Sequence, residues 1–138
     1  MAQIIEDYCS FETAKLLKEK GFDAPCLSYF WTEENGANIS YCETPFTNQQ
    51  LYSGQTLRPT LQMAMKWLRE KHNKIIIIGI RLDDRTSGTI TCYIAGIWYI
   101  PKNNGGAFCY TSPTPYEGYP SFEEACESAI KYCLEKLI

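Results

Sequence analysis

At 138 residues and 15.8 kDa the chain suffices for one domain that closes a single hydrophobic core without disulfides or metal. A composition of 45% apolar and 21% charged residues excludes a disordered tail or a fibrous repeat. Thirteen basic against sixteen acidic residues leave a net charge of -3, which gives no electrostatic reason to bind a phosphate backbone.

In chain order, Ser10 followed by Phe11, Glu12 and Thr13 opens a helix with a capping hydroxyl and an acid in its first turn, and Gly21 supplies the left-handed stop. Over 10–20 its apolar positions Ala14, Leu16 and Leu17 are few, which suits a surface helix lying across a sheet, with Phe22 folding back as the apolar contact of the cap. From Cys26 to Thr32, closely spaced Leu, Tyr, Phe and Trp suit a pleated strand, and Asn38 to Glu43 reads similarly. Asn35-Gly36 between them is a turn dipeptide, so the two segments form a hairpin with Leu27, Tyr29 and Trp31 on one face and Phe30 on the other. The polar segment Thr44 to Arg58 reads as a loop, with Pro59 in a first helical turn.

Leu61, Ala64, Met65 and Leu68 recur at i, i+3, i+4 and i+7 and predict a core-facing helix over 60–72. Ile75 to Leu82 is the strongest strand, and the longest aliphatic run within the chain, Ile75 to Ile80, is far short of the ~20 residues that span a bilayer. The turn Asp83 to Ser87 and the strand Gly88 to Ile100 complete an antiparallel hairpin. The period-two rule puts Ile76, Ile78, Ile80 and Leu82 with Ile90, Cys92, Ile94, Trp98 and Ile100 on its core face, and Arg81, Thr89, Thr91, Tyr93, Ile97 and Tyr99 on the other. Residues 101–120 form a long loop with at most a short strand over Ala107 to Thr111. Ser121 to Glu124 make a capping box, opening a third helix that reaches Leu137 and buries Phe122, Cys126, Ile130, Cys133 and Leu137. The order α-β-β-α-β-β-(β)-α predicts an α+β fold, an antiparallel sheet built from two hairpins packed against three helices.

Three segments, ETAKLLKEKGFD at Glu12 to Asp23, PTLQMAMKWLREKHN at Pro59 to Asn73 and SFEEACESAIKYCLEKL at Ser121 to Leu137, together resemble small uncharacterised proteins encoded by gut bacteria of the Bacteroides type and by their phages and mobile elements. The resemblance covers about a third of the chain, chiefly its helices. It implies a context, that of small accessory proteins which bind a host protein or sequester a small molecule, and it carries over no catalytic residue.

The seven cysteines are odd in number and include no C-x-x-C pair, which argues against a zinc site and a disulfide framework and for reduced, buried thiols. Met1 to Asp7 lack a basic segment followed by an apolar one, so no secretory signal is visible, and a cytoplasmic location is expected, with neither a membrane nor a nucleic-acid polymer as partner. The single histidine, His72, stands in the last turn of its helix, where a cation favours the dipole, and a structural role outweighs activation of a thiol. Asp83 and Asp84 read as a wet turn before they read as metal ligands. A phosphate loop, a nucleophile elbow and a dinucleotide fingerprint are all missing. Neither catalytic residue nor metal nor cofactor is expected.

Between Lys102 and Glu117 there is no charge, yet Phe108, Tyr110, Thr111, Ser112, Thr114 and Tyr116 crowd there. Recognition loops have this composition, and a lid covering its own sheet edge is the equal alternative. Arg81 among Tyr93, Thr91 and Tyr99 suits a stacked base or a phosphate, and equally a dimer seam. The expectation is a non-enzymatic binding protein that captures a small anionic or nucleotide-like ligand, such as a host immune signal, through Arg81, Tyr93, Tyr99, Trp98, Trp31, Tyr110 and Tyr116. The alternative is a protein-interaction module that inhibits or adapts a host protein. Apolar residues on both faces of the second hairpin further predict a homodimer or higher symmetric oligomer that buries Tyr93, Ile97 and Tyr99.

Overall fold

A computed structural model describes residues 6–33, 36–82, 88–101 and 106–138, and the chain divides into two compact units, Met1–Trp67 and Leu68–Ile138. The turn residues Asn35 and Asp83 to Ser87 singled out in the sequence lie outside the described residues.

The first unit opens with α1 (Phe11–Glu19), where the Ser10 hydroxyl accepts from the Thr13 N–H at 3.2 Å. Gly21, at φ 87°, turns the chain back so that the Phe22 N–H donates to the Leu17 carbonyl at 2.9 Å. The Phe22 ring then lies edge-on to Trp67 with centroids 5.4 Å apart. Three strands follow, β1 (Cys26–Glu33), β2 (Gly36–Phe46) and β3 (Gln55–Leu57), in the order β2-β1-β3 and antiparallel throughout. Cys26, Ser28 and Phe30 form the buried face of β1, and Phe11 of α1 meets Phe30 edge-on at 5.3 Å. Leu27, Tyr29 and Trp31 take the opposite face, as the alternation predicts.

The 44–58 segment is thus not all loop. A single 3-10 turn at Asn48–Gln50 sets the Asn48 amide so that its Oδ1 accepts from the Leu57 N–H at 3.1 Å and its Nδ2 donates to the Phe22 carbonyl at 3.1 Å. Those bonds tie β3 to the 3-10 turn and to Phe22 at the end of the α1 cap, and a strand of three residues is too short to show a period. Next comes α2 (Leu61–His72), which carries the chain into the second unit. The Thr60 hydroxyl accepts from the Met63 N–H at 3.1 Å, so Thr60 is the capping residue and Pro59 precedes the first turn instead of standing in it.

The second unit takes in the last residues of α2, which Asn73 ends with a φ of 54°. It contains β4 (Lys74–Leu82), β5 (Ile90–Tyr99) and β6 (Cys109–Thr111), in the order β4-β5-β6, followed by α3 (Phe122–Tyr132) and a closing π turn at Cys133–Leu137. The α+β class and the element order hold. The two hairpins stay in separate sheets, each completed by a short third strand.

The faces of the second hairpin differ from the expectation. Lys74 opposes Tyr99, Ile76 opposes Ile97, Ile80 opposes Tyr93 and Arg81 opposes Cys92. Opposed residues share a face, so from Lys74 to Arg81 even positions of β4 lie with odd positions of β5 and odd with even. Ile97 is fully buried beside Ile76 on the face that packs against α3, while Trp98 is 42% exposed on the other. Ile80, Leu82 and Ile90 are exposed at the far end of the hairpin. Nearest the turn Leu82 opposes Ile90 with the expected parity, and the irregularity between Arg81 and Leu82 then shifts the register by one residue, which reverses the faces of the rest of β5 relative to β4. Since Ile97 has no surface left, a seam that buries Ile97 together with Tyr93 and Tyr99 does not fit this face.

On α3 the Ser121 hydroxyl accepts from the Glu124 N–H at 3.1 Å, and Cys126, Ile130 and Cys133 are fully buried as predicted. Ala125, Ala129 and Leu134 complete that stripe. Phe122 departs from the prediction: in the first turn it overhangs the sheet, staying exposed while its ring edge meets Tyr93 at 6.2 Å. Leu137, in the π turn, is half-buried.

Burial pushes the Cys26 thiol from an ordinary 9.0 up to about 12. It does the same to Cys133, also to about 12, with Lys74 pulling weakly in the other direction. A raised folded value means that the neutral thiol is the native form, so its stabilisation is complete below the unfolded value and is lost as pH climbs from about 9 towards 12. The urea midpoint is therefore expected to fall between about pH 8 and pH 10.5, and Cys133→Ala should flatten that fall.

Candidate functional site

As the chain leaves β3, the Arg58 N–H donates to the Ser28 carbonyl at 2.9 Å, extending the pairing with β1 by one residue. This turns the Arg58 side chain onto the face that carries Ser28 and Phe30. Its guanidinium carbon stands 3.8 Å from the Tyr8 ring centroid, 5.7 Å from that of Phe30 and 5.9 Å from that of Tyr41. One terminal nitrogen donates to the Tyr41 hydroxyl at 3.2 Å and to the Ser28 hydroxyl at 3.3 Å. Ser28 is buried and passes its own proton to the Ser40 carbonyl at 3.1 Å. Tyr8 is held in place by an antiparallel bridge to Thr60 and by the neighbouring Cys9 N–H, which donates to the Pro59 carbonyl at 2.9 Å.

All of these partners are neutral. Among the described residues, no carboxylate balances Arg58. A half-buried guanidinium against three rings keeps its whole charge, and two hydroxyls do not exhaust its five donors. Tyr41, which opposes Ser28, is 70% exposed, and Ile39, which opposes Phe30, is exposed as well, so the cradle opens on that side. A second feature of the first unit, a cleft of about 440 Å³ bordered by Tyr29, Glu43, Gln50, Tyr52 and Gln55, carries a single charge, the Glu43 carboxylate. That charge repels anions.

The seven residues expected to bind ligand are divided. Trp31 belongs to the first unit, where it opposes Asn38 and Gln55. In the second unit, Arg81, Trp98 and Tyr110 share one face, since Arg81 opposes Cys92 and Trp98 opposes both Ile75 and Tyr110. The Trp98 and Tyr110 rings are tilted together at 5.0 Å, and the Tyr110 ring lies over Gly96, where an added Cβ would overlap its hydroxyl. Arg81 donates to the Tyr116 carbonyl at 2.9 Å and so holds the loop, leaving the Tyr116 ring 96% exposed. Tyr93 and Tyr99 lie on the opposite face, Tyr93 against Phe122 and Tyr99 beneath the Lys74 ammonium at 5.6 Å. The grouping of Arg81 with Tyr93 and Tyr99 is thereby corrected: odd numbers share a face within a strand, not across this register.

The hydroxyl-rich loop closes the outer edge of β5. Tyr93 and Tyr119 exchange backbone bonds of 2.8 and 2.9 Å, and β6 pairs with Ile97 to Tyr99. Between these, the Thr114 hydroxyl accepts from the Ala95 N–H at 2.8 Å, while the Ser112 and Thr114 hydroxyls both donate to the Ala95 carbonyl. Two side chains thus replace a missing strand partner, and Ser112 and Thr114 are accounted for by the fold.

Arg58, Tyr8 and Tyr41 were not singled out by the sequence. The available signal is that Arg58 is the sole charged residue between Glu43 and Lys66. Tyr8 and Tyr41 are brought to it only by the bridge at Thr60 and the register of β2. Among the described residues, no group of three or more His, Cys, Asp or Glu side chains is placed to hold a metal ion, and no helix is long and apolar enough to cross a membrane. No known family, curated protein or solved structure matches the chain.

Thr114→Val keeps the shape but strips Ala95 of its acceptor. Loss of about 1–3 kcal/mol of unfolding free energy is expected, read from urea denaturation, because a buried N–H is left unmet. A loss within error of zero would show that water serves that edge equally well.

Proposed function

We propose that the protein is a non-enzymatic binding protein that captures a small anionic ligand bearing a flat ring, of nucleotide type, and that Arg58 takes the charge. The observation that carries this reading is the uncompensated guanidinium in its frame of Tyr8, Phe30 and Tyr41. The reading is supported by the position of the Arg58 guanidinium beside Tyr8 and Tyr41, the residue types such a ligand calls for.

In this reading the free edge of the guanidinium makes paired, charge-assisted bonds to phosphate or carboxylate oxygens. Tyr8 backs the cation and fixes its plane. The exposed Tyr41 ring offers a stacking surface for the ring of the ligand, as aromatic platforms do for bases. With a net charge of -3, attraction is local to the cradle and falls with added salt. The working compartment is proposed to be a reducing cytoplasm, supported by seven free thiols, and the phage or mobile-element context is part of the same proposal.

Thermal shift and calorimetry with inorganic pyrophosphate, nucleoside monophosphates and cyclic nucleotides test it. At a concentration of 100 Kd a bound member should stabilise by about 2.7 kcal/mol. Arg58→Gln should abolish the shift, Arg58→Lys should keep a weaker one, and Tyr41→Ala should weaken nucleotides more than pyrophosphate. No shift with any member at about 1 mM, or a shift that survives Arg58→Gln, would overturn the reading.

A further inference from the structure

β4 has one neighbour, β5, and its other edge carries no strand among the described residues. Nine residues is long for an edge. Such edges are ordinarily blunted by charge, proline or a bulge, because unpaired N–H and C=O groups are a template for another strand. From Ile75 to Ile80 the edge has neither charge nor proline, and its one irregularity lies beyond, at Arg81/Leu82. Ile77, Ile80 and Leu82 are each about half exposed along it.

We infer that β4 pairs antiparallel with β4 of a second copy about a twofold axis at Ile78, giving one six-stranded sheet. This stands apart from the anion site, which lies in the other unit. Ile78 is the midpoint of Lys74–Leu82, so this register uses the whole strand. A twofold axis perpendicular to the sheet keeps each face on its own side, and opposed residues therefore have the same parity. Lys74 and Arg81 differ in parity and never meet: Lys74 faces the partner's Leu82, and Arg81 faces the partner's Ile75. No like charges are opposed.

The side chains complement one another as well. Ile77 faces the partner's Gly79, and the space over Gly79 is open, the nearest atom to an added Cβ being the Ile94 carbonyl oxygen at 4.0 Å. One exposed knob and one vacant position per copy fit twice over by symmetry. On the other face Ile76 meets the partner's Ile80, and Ile78 meets its own copy. An unrelated strand would need to supply this pattern independently, whereas a second copy brings it.

Light scattering coupled to size exclusion, run on the whole chain at tens of micromolar, reads the assembly. The expected mass is twice 15.8 kDa, falling to 15.8 kDa in Ile77→Lys/Ile80→Lys with an unchanged far-ultraviolet spectrum. Ile78→Cys should give an intermolecular disulfide on mild oxidation, above the wild-type background, because opposed Cα atoms lie within disulfide reach. Ile76→Cys should not, since its two copies would be about 13 Å apart along the strands. A wild-type mass of 15.8 kDa, including one that shifts only when another protein's strand is added, overturns the inference. So does a dimer that survives the folded double lysine variant, or equal crosslinking at Ile76 and Ile78. Should the lysine variant unfold, the two cysteine variants decide.

Discussion

The Arg58 guanidinium lying on the Tyr8 ring is the contact through which the first unit closes on itself. The five residues around it are each committed. Leu57 donates to Asn48, Arg58 to the Ser28 carbonyl, Pro59 accepts from Cys9, Thr60 bridges Tyr8 and caps α2, and Leu61 donates to the Asp7 carbonyl. A backbone so fully occupied leaves the arginine no choice of position, and the side chain must find its partners where the strand delivers it. It finds rings and hydroxyls. A cation on an aromatic face gains roughly 0.5–2 kcal/mol depending on how dry the site is, enough to hold the group while its positive charge stays unneutralised by a carboxylate among the described residues. Structure and chemistry meet at the same residue for that reason.

The second unit manages its edges differently. On the outer side of β5, two short pairings and the Ser112 and Thr114 hydroxyls leave no backbone group of Ala95 unmet. Arg81 pins the same loop through the Tyr116 carbonyl. Polar residues that read as a recognition loop are thus partly consumed as edge cover. On the β4 side there is no comparable cover among the described residues. Within this one sheet the β5 edge is covered and the β4 edge carries no strand among the described residues.

Features governed by neighbouring residues were legible in the sequence. Ser10 and Ser121 cap their helices, Gly21 stops the first, and the buried stripe at Cys126, Ile130 and Cys133 follows from spacing alone. Features that need two distant segments were not. Simple alternation pairs Leu82 with Ile90 as expected and fails beyond that pair, because the irregularity between Arg81 and Leu82 shifts the register by one residue and no single-strand pattern announces it. β3 escaped notice because three residues carry no period. Most of all, the Arg58 cradle draws on positions 8, 28, 30, 41 and 58, which only the sheet brings together. The grouping of a guanidinium with tyrosines is found at Arg58, a position that carries no local signal beyond its isolation as a charge.

The most direct measurement is a nitrogen-proton correlation spectrum of the arginine side chains during titration with pyrophosphate and then with a nucleoside monophosphate. A guanidinium fixed by Tyr8, Ser28 and Tyr41 should show a resolved Arg58 Nε–H resonance that moves saturably, while the Arg81 resonance stays in place. Arg58 unmoved by both ligands, or all arginines drifting together without saturation, would contradict a built anion site at this position.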